Sequence, residues 1–327
     1  MKPLIALLQA AGLVASLMAS VLAPSPAAAQ NFPAKPITMV VPFAAGGGAD
    51  VVARVLGKHT QLGQPIIVDN KPGAGGTIAA GVVAKAPADG HTLLFVTAGH
   101  AGTKALYPHL PFDPVADFAP VIGIAAAPVV IAVNANSPYR TLQDLVQAAR
   151  AKPGKLNCAG GGGGATVTNL AFELLKSELK LDIQAVPYKG SAPAITALLG
   201  GEIDCDSDAL AALLPQIQAG KLRALAVTSK RRSGLLPDVP TVAETVLPGM
   251  DASAWYGVLA PKGTPPAILD RLQKEFSAAA RQPQVAERVR AVGAEPLNMN
   301  AGEFGAFVSA EARRWSALIQ KLGLKAE

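Results

Sequence analysis

The chain has 327 residues, half of them hydrophobic, which is enough for two domains of about 150 residues, each with its own core. Its formal charge is +6, from 29 basic and 23 acidic residues, and the basic residues are scattered along the chain. The tight basic triplet at 230–232 has no interleaved aromatic residues, and we interpret it as a solvated turn after a strand. Composition and charge therefore argue against nucleic acid as a partner.

The first 29 residues have the three parts of a secretory signal peptide. Lys2 supplies the positive charge, residues 4–22 are apolar and uncharged, and residues 27–29 are the small alanines that a signal peptidase requires. The apolar part is also long enough for a retained membrane anchor. Because prolines precede the alanines, we favour cleavage near Ala29 and predict an exported, periplasmic protein with a signal peptide over 1–29.

The rest of the chain uses one unit twice: a short apolar strand, a loop with at least three adjacent glycines, and an amphipathic helix. In the first copy the strand at 37–41 leads through the loop at 42–49 to a helix predicted to begin at Asp50. In the second copy five glycines at 160–164 precede a helix predicted to begin near Ala165. A loop of glycines at the start of a helix has no side chains, so it exposes backbone N–H groups and the positive end of the helix dipole. Each copy is therefore predicted to bind a carboxylate or phosphate, and two copies suggest two lobes.

Strands and helices alternate through both halves of the chain. The predicted segments are strands at 66–68 and 91–97 around a helix at 77–85, and strands at 183–186 and 202–206 around a helix at 193–199. This alternation predicts an α/β fold whose lobes each have a mainly parallel sheet flanked by helices, with ligands at the carboxyl ends of the strands. Strands at 129–133 and 255–260 carry the chain between the lobes. We predict lobe 1 at 30–128 plus 254–327 and lobe 2 at 129–253.

A series of short motifs in a fixed order covers the mature chain. They are VPFAAGG at 41–47, DNKPGAGG at 69–76, ADGHTLL at 88–94, FDP at 112–114, DFAP at 117–120, KPGKLN at 152–157, VPYKG at 186–190, GKLRALAVT at 220–228, PDVPT at 237–241, LAP at 259–261 and GTP at 263–265. Together they resemble the Bug family, the periplasmic substrate-binding proteins of tripartite tricarboxylate transporters. The resemblance implies a two-lobed periplasmic binding fold, type II-like, that closes on a carboxylate as a Venus flytrap does and presents it to membrane permease subunits.

The resemblance also implies a ligand site in lobe 1. In the family, the loop after the first strand and the turn after the second strand hold the carboxylate, partly through water. Here these positions are Phe43, Ala44, Gly47, Gly48, Gly76 and Thr77. From the glycine-loop argument we add backbone donors at Ala49 on this side and at Gly163, Gly164, Ala165 and Thr166 across the cleft, with Thr97 and Ala98 on the cleft floor. Bonds from both lobes to one ligand would favour the closed state.

Two departures from the family pattern reduce the side-chain donors in the glycine loops. Residues 48–49 are Gly-Ala where members usually have a hydroxyl pair, so that loop keeps backbone donors only. The second loop is five glycines, and Asn169 stands near the place where a His is common. Thr166 and Thr168 are the hydroxyls still available there. We therefore expect low selectivity from the first loop.

A third departure adds a carboxylate, because Asp206 precedes the expected Asp208. One hypothesis is that both meet a ligand ammonium, which would make the ligand an amino acid or another zwitterion. The alternative is that Asp206 points away from the cleft, since successive strand residues face opposite sides. Tyr188 at a strand end is expected to pack on the ligand, and Lys189 beside it would add positive charge, unless both belong to a solvated turn.

The two cysteines lie at the carboxyl ends of neighbouring strands. Cys158 and Cys205 end the first and third strands of lobe 2, which are adjacent in a 2-1-3 order. Export and an even cysteine count favour a disulfide. Neighbouring strand positions often miss the geometry that a bridge needs. The sequence leaves both states open.

Enzyme motifs are weak or missing. The segment 160–165 fits GxGxxA, but any glycine run does, and the chain has neither a GKS or GKT phosphate loop nor a GxSxG elbow. The four histidines show no metal spacing. His100, just beyond the predicted cleft floor, could rim the ligand, but we expect it at the surface. Trp255 and Tyr256 are expected in the core rather than the cleft wall. We predict no catalysis, no cofactor and no metal.

The sequence favours a monomeric periplasmic receptor for a small carboxylate, namely a di- or tricarboxylate, an amino acid or an aromatic acid, which it delivers to a tripartite tricarboxylate-type transporter. The alternative is a signalling protein of the same fold that passes a ligand signal to a sensor partner without transport. A third interpretation, with less support from the sequence, is that the protein is an enzyme. Backbone N–H groups in a glycine loop bind a carboxylate but distinguish little of what is attached to it, so the sequence does not identify the ligand.

Overall fold

The computed structural model describes residues 32–160, 166–188 and 190–323. The predicted signal peptide at 1–29 lies outside these residues, as do Gly163, Gly164, Ala165 and Lys189. None of the described helices is long and apolar enough to cross a membrane.

Strands and helices alternate through most of the described chain. The strands are β1 (Ile37–Val41), β2 (Ile66–Asn70), β3 (Thr92–Thr97), β4 (Phe118–Asn134), β5 (Asn157–Ala159), β6 (Gln184–Ala185), β7 (Cys205–Ala209), β8 (Leu222–Val227), β9 (Ser253–Pro261) and β10 (Glu295–Met299). The helices are α1 (Gly48–His59), α2 (Thr77–Ala84), α3 (Gly99–Leu106), α4 (Leu142–Ala151), α5 (Val167–Leu179), α6 (Ser191–Gly200), α7 (Leu210–Gln218), α8 (Val242–Thr245), α9 (Pro266–Ala280), α10 (Pro283–Ala291) and α11 (Ala301–Leu322). A short 3-10 turn, Ala74–Gly76, precedes α2.

The strands form a mixed sheet with two similar parallel parts. β2, β1 and β3 are parallel neighbours in the first half, and β6, β5 and β7 repeat that arrangement in the second. The long strand β4 and the returning strand β9 are antiparallel to their neighbours, because they carry the chain between the halves. The predicted α/β fold class and the 2-1-3 strand order are confirmed, and the crossover strands make the sheet mixed.

Strand β4 changes its partners near its middle. Residues 118–128 pair with β9 and part of that segment also with β10, whereas residues 129–134 pair with β7 and β8. The change falls where the sequence predicts the boundary between lobes 1 and 2. That the two halves move as separate lobes stays a prediction.

Both glycine-loop helices begin slightly away from their predicted starts. α1 begins at Gly48 rather than Asp50, because Gly47 is the N-cap and Asp50 sits inside the first turn. α5 begins at Val167 rather than near Ala165, because the Thr166 side chain accepts a hydrogen bond from the Asn169 amide as an N-cap. In α1 the buried residues include Val52, Ala53 and Leu56, which pack into the core of the first half.

A disulfide joins β5 to β7. Cys158 and Cys205 lie directly opposite each other in the parallel register, with their Cα atoms 4.6 Å apart, and both are fully buried. Cys158 lies in β5, just before the second glycine loop, whereas Cys205 is the first residue of β7, so the prediction that Cys205 ends its strand is wrong. The bridge spans 47 residues of sequence, for which the chain-entropy model gives a stabilisation of about 4 kcal/mol.

Candidate functional site

The loop between β1 and α1 is held in shape by one buried carboxylate. Asp50 is 3% exposed, and its Oδ2 accepts hydrogen bonds from the Gly46 amide and from Arg54 Nε, each at 2.9 Å. Its Oδ1 accepts from Asn70 Nδ2, also at 2.9 Å. Burial raises the pKa of Asp50, but the hydrogen bonds from Arg54, Gly46 and Asn70 outweigh it, so the pKa lies below its ordinary value. Asp50 is therefore ionised, and the donors that hydrogen-bond to it compensate its negative charge. Its role is to hold the loop in shape.

The same loop presents a row of backbone donors. The amides of Phe43, Ala44, Gly47 and Gly48 make no hydrogen bond to the described part of the chain. Phe43 is 43% exposed, and Ala44 and Gly47 are exposed as well. Ala49 can offer only its amide, because its methyl group packs in the core. These donors lie at the positive end of α1, where an anion is stabilised.

The turn after β2 packs directly against the first loop. Gly76 has a φ of +94°, and a Cβ built on it would lie 3.1 Å from the Cβ of Pro42. This position requires glycine, because a side chain would be strained and would push the loops apart. Thr77 Oγ1 donates to the Ala74 carbonyl at 2.9 Å, which closes the short turn before α2.

A small pocket of about 10 Å³, partly open to solvent, lies between these two loops and the end of β3. Its lining residues are Pro42, Gly75, Gly76, Leu94, Phe95, Val96, Thr97 and His100. The structure thus brings the predicted residues Gly76 and Thr97 to one cavity. Ala98, predicted on the same floor, packs in the core instead, because its methyl group is 3% exposed.

His100 is buried, so the prediction of a surface histidine is wrong. Its side chain is 6% exposed and its ring meets Phe118 edge-on, with ring centroids 5.2 Å apart. Its Nε2 lies 2.7 Å from the Pro114 carbonyl oxygen. Burial lowers the pKa of His100 to about 4, against smaller raising effects of the Pro114 bond and Asp113. The sequence contained one indication of this burial: the residues around His100 are small, which lets its helix pack closely against neighbouring elements.

Tyr256, which the sequence reasoning assigned to the core rather than the cleft wall, lies beside the first loop. Trp255 is fully buried, as predicted, but Tyr256 is half-buried and points to the other face of β9. A Cβ built on Gly48 would lie 3.6 Å from the Tyr256 hydroxyl oxygen. That hydroxyl makes no hydrogen bond to the described residues, and burial raises its pKa. Tyr256 therefore adds a side-chain donor beside the amides of the first loop.

In the second half of the chain, Thr166 is the described member of the predicted set 163–166. It is exposed at the start of α5, and its Oγ1 lies 2.8 Å from Thr168 Oγ1. Thr168 in turn donates to the Gly160 carbonyl at 3.1 Å, while Ser207 Oγ donates to the Thr168 carbonyl at 3.2 Å. These bonds tie the start of α5 to Gly160, just after β5, and to the middle of β7.

Asp206 and Asp208 share one face of β7. They lie opposite Ala132 and Val130 of β4 in an antiparallel register, and they are 0% and 2% exposed. The intervening Ser207 has the other face. Burial raises the pKa of Asp208, although the Ser191 hydroxyl and the Ala209 amide favour its ionised form. That either carboxylate meets a ligand ammonium stays a prediction.

Tyr188 follows β6 and is half-buried. Its ring packs against the apolar cluster under α6 and α7, which includes Ala194 and Leu213. Its predicted contact with a ligand stays a prediction. No group of three or more metal-ligating side chains occurs among the described residues.

Comparison with known proteins gives consistent matches over almost the whole chain. Residues 51–324 match a family described as the tripartite tricarboxylate transporter family receptor. A protein of Pseudomonas sp. strain P51 from the tcbD-tcbE intergenic region is 39% identical over 298 residues, covering 90% of this chain and 88% of its own. Protein BugT of Bordetella pertussis is 38% identical over 305 residues, covering 92% and 93%.

Solved structures give the same picture. Periplasmic binding protein BugD is 35% identical, with a TM-score of 0.73 over 90% of this chain and 100% of its own. MatC from Rhodopseudomonas palustris with bound malate is 36% identical, with a TM-score of 0.72 over 88% and 100%. An R. palustris protein with adipate is 36% identical, with a TM-score of 0.75 over 90% and 99%.

Proposed function

Because the chain belongs to the tripartite tricarboxylate transporter receptor family, we propose that it is an exported receptor that captures a small dicarboxylate and delivers it to the membrane subunits of such a transporter. The family match confirms the resemblance seen in the sequence and the expectation of a binding protein rather than an enzyme. The predicted signal peptide supports the periplasm as its location.

The main support for this proposal is the row of backbone donors in the first loop. The amides of residues 43, 44, 47 and 48 and the Tyr256 hydroxyl are donors without an acceptor in the described chain, and they lie beside the pocket that holds Gly76 and Thr97. The pocket lining has no carboxylate. A carboxylate supplies several acceptors for such donors, and the N-terminus of α1 favours its charge.

Two related structures support a dicarboxylate in particular. Malate and adipate are bound by relatives that are 36% identical to this chain. One carboxylate of such a ligand would bind the first loop, and the other would reach the start of α5 near Thr166. Contacts with both halves would make the closed state more stable with ligand than without it.

The test is a thermal-shift screen of the mature protein, beginning after Ala29, followed by calorimetry. The panel contains malate, adipate, tricarboxylates, amino acids, aromatic acids and nicotinamide nucleotides. A ligand at one hundred times its Kd should stabilise the protein by about 2.7 kcal/mol. We expect the largest shift from a dicarboxylate. A response to nucleotides alone, or to no acid in the panel, would contradict the proposal.

Delivery to a transporter needs a separate measurement in cells. We expect deletion of the gene to abolish uptake of the labelled acid that the purified protein binds, and re-expression to restore it. If the protein binds the acid but uptake is unchanged, delivery is contradicted and the signalling alternative is favoured. If the growth response to the acid is then lost without a change in uptake, a sensor partner is indicated.

A further inference from the structure

His100 is the titratable residue in the pocket lining. It lies at the second position of α3 and lines the same pocket as Gly76 and Thr97, and the remaining lining residues carry no ionisable side chain. A buried histidine that reaches a binding pocket can change its charge when an anion enters.

Its hydrogen bond determines which ring nitrogen carries the proton. The Pro114 carbonyl oxygen can only accept, so Nε2 of His100, 2.7 Å away, donates to it. In the neutral ring Nδ1 is then an acceptor. Nδ1 makes no hydrogen bond to the described part of the chain, and it is not sealed from solvent. It is the polar atom of this ring that a ligand can engage.

The charged groups around the ring do not stabilise an imidazolium on their own. Asp113 is the charged group that acts on His100, and its attraction is weaker than the effect of burial. Asp113 is bonded by the amides of Val115 and Ala116 and by Lys104. These bonds hold its pKa at about 2, so it stays ionised wherever His100 could titrate.

The other elements against α3 add little charge to this environment. Asp117 accepts from the Asp113 amide and lies 3.9 Å from Lys262, so it too is engaged. At Gly102 of α3, helix α11 presents Trp315 and Ile319, which are apolar. Burial therefore keeps His100 neutral near pH 7.

We propose that His100 is a ligand-binding residue that takes up a proton as the carboxylate enters: Nδ1–H then donates to the ligand carboxylate while Nε2–H stays on the Pro114 carbonyl. The proton comes from solvent, and no covalent bond of the ligand changes. This inference rests on the proposed function, because it needs a carboxylate in this pocket. In that state both ring N–H groups have acceptors and the buried imidazolium faces an anion.

Proton uptake makes affinity depend on pH. Where the bound His100 is protonated and the free one is not, affinity rises by up to about tenfold for each unit by which pH falls. The test is calorimetry of the purified protein with malate or adipate, whichever gives the larger thermal shift, at about pH 5.5 and 7.5, in two buffers of different ionisation enthalpy. The dependence of the heat on the buffer gives the protons taken up.

Two variants isolate the effect of His100. His100→Gln keeps an N–H donor for the Pro114 carbonyl and cannot titrate, and His109→Gln removes an exposed histidine elsewhere. We expect wild type and His109→Gln to take up between about half a proton and one proton more than His100→Gln at the lower pH. Their affinity should gain at least about fivefold over that variant between the two pH values. Subtracting the variant cancels protonation of the acid itself.

Nitrogen NMR of histidine-labelled wild type tests the same point without a mutation. Free protein should show one His100 nitrogen protonated, and the complex should show both. Binding with a neutral His100 ring and equal proton uptake in wild type and His100→Gln would overturn this inference and leave the proposed function intact. If no acid of the panel binds, both this inference and the proposed function are contradicted.

Discussion

Asp50 organises a binding loop that has almost no side chains of its own. It bonds Gly46 in the loop, Arg54 one turn further along α1 and Asn70 at the end of β2. Asn70 Nδ2 also donates to the Phe43 carbonyl at 2.9 Å. One buried carboxylate thus helps to set the position of the backbone donors before any ligand binds, which favours affinity.

Replacing Asp50 with Ala should therefore reduce binding and stability together. The change leaves three donors without their acceptor, and we expect a loss of about 2 kcal/mol in unfolding free energy and at least tenfold in affinity. Urea unfolding and calorimetry measure the two effects. Asp270→Ala, at an exposed position on α9, is the matched control. Unchanged affinity in Asp50→Ala would show that the loop is not the anion site.

Tyr256 offers a sharper test, because its hydroxyl makes no bond within the described protein. Tyr256→Phe removes a donor beside Gly48 and keeps the ring that packs near Phe95, with centroids 5.9 Å apart. We expect the Kd for a dicarboxylate to rise about tenfold with little change in melting temperature. Tyr139→Phe in the second half should change neither quantity. Equal affinity of Tyr256→Phe and wild type would remove Tyr256 from the site.

At the scale of elements, β5, β7 and α5 form one connected support for the second glycine loop. The disulfide joins the middle of β5 to the first residue of β7, and Ser207 of β7 donates to Thr168 of α5. Thr168 donates back to Gly160, where β5 has just ended. The loop between Gly160 and Thr166 thus starts and ends on elements that are tied to each other.

Removal of the bridge should have a large effect on stability. We expect the double variant Cys158→Ala/Cys205→Ala to lose about 4 kcal/mol in unfolding free energy under oxidising conditions. With a reductant present, wild type should approach the variant, while Ser207→Ala should keep its sensitivity to reductant. Two free thiols in denatured, unreduced wild type would contradict the bridge.

At the scale of the whole molecule, the burial of His100 couples stability to pH. The pKa of His100 is about 4 in the folded protein, below its ordinary value of 6.5. The unfolded chain therefore binds a proton at a pH where the folded one does not. The stability gained by keeping His100 neutral is complete above about pH 6.5 and is lost as pH falls towards 4.

The ligand-free wild type should accordingly lose up to about 3 kcal/mol more than His100→Gln between pH 7 and pH 4. Chemical unfolding at several pH values gives the comparison, and His109→Gln should follow the wild type. Parallel stability curves for wild type and His100→Gln would mean that the ring is not held neutral by burial.

Much of the site was predictable because its signals are local. Gly76, with its left-handed backbone and its contact with Pro42, stands in a turn that the glycines and Pro72 already indicate. Thr97 ends a strand that feeds the pocket, as the alternation predicts. The adjacency of Cys158 and Cys205 followed from the strand order, but the bridge itself depended on register.

The sequence by itself determined the α/β class, the glycine loops at strand ends and the family, because strand and helix periodicity, glycine backbone freedom and motif order are properties of short segments. Only the tertiary structure decided that His100 is buried against Pro114, that Tyr256 reaches Gly48, and that Asp206 and Asp208 are both buried where β7 pairs with β4. Those facts depend on contacts between segments that are distant in the chain. They also depend on strand register, because a shift by one residue would turn every side chain of a strand to the opposite face of the sheet.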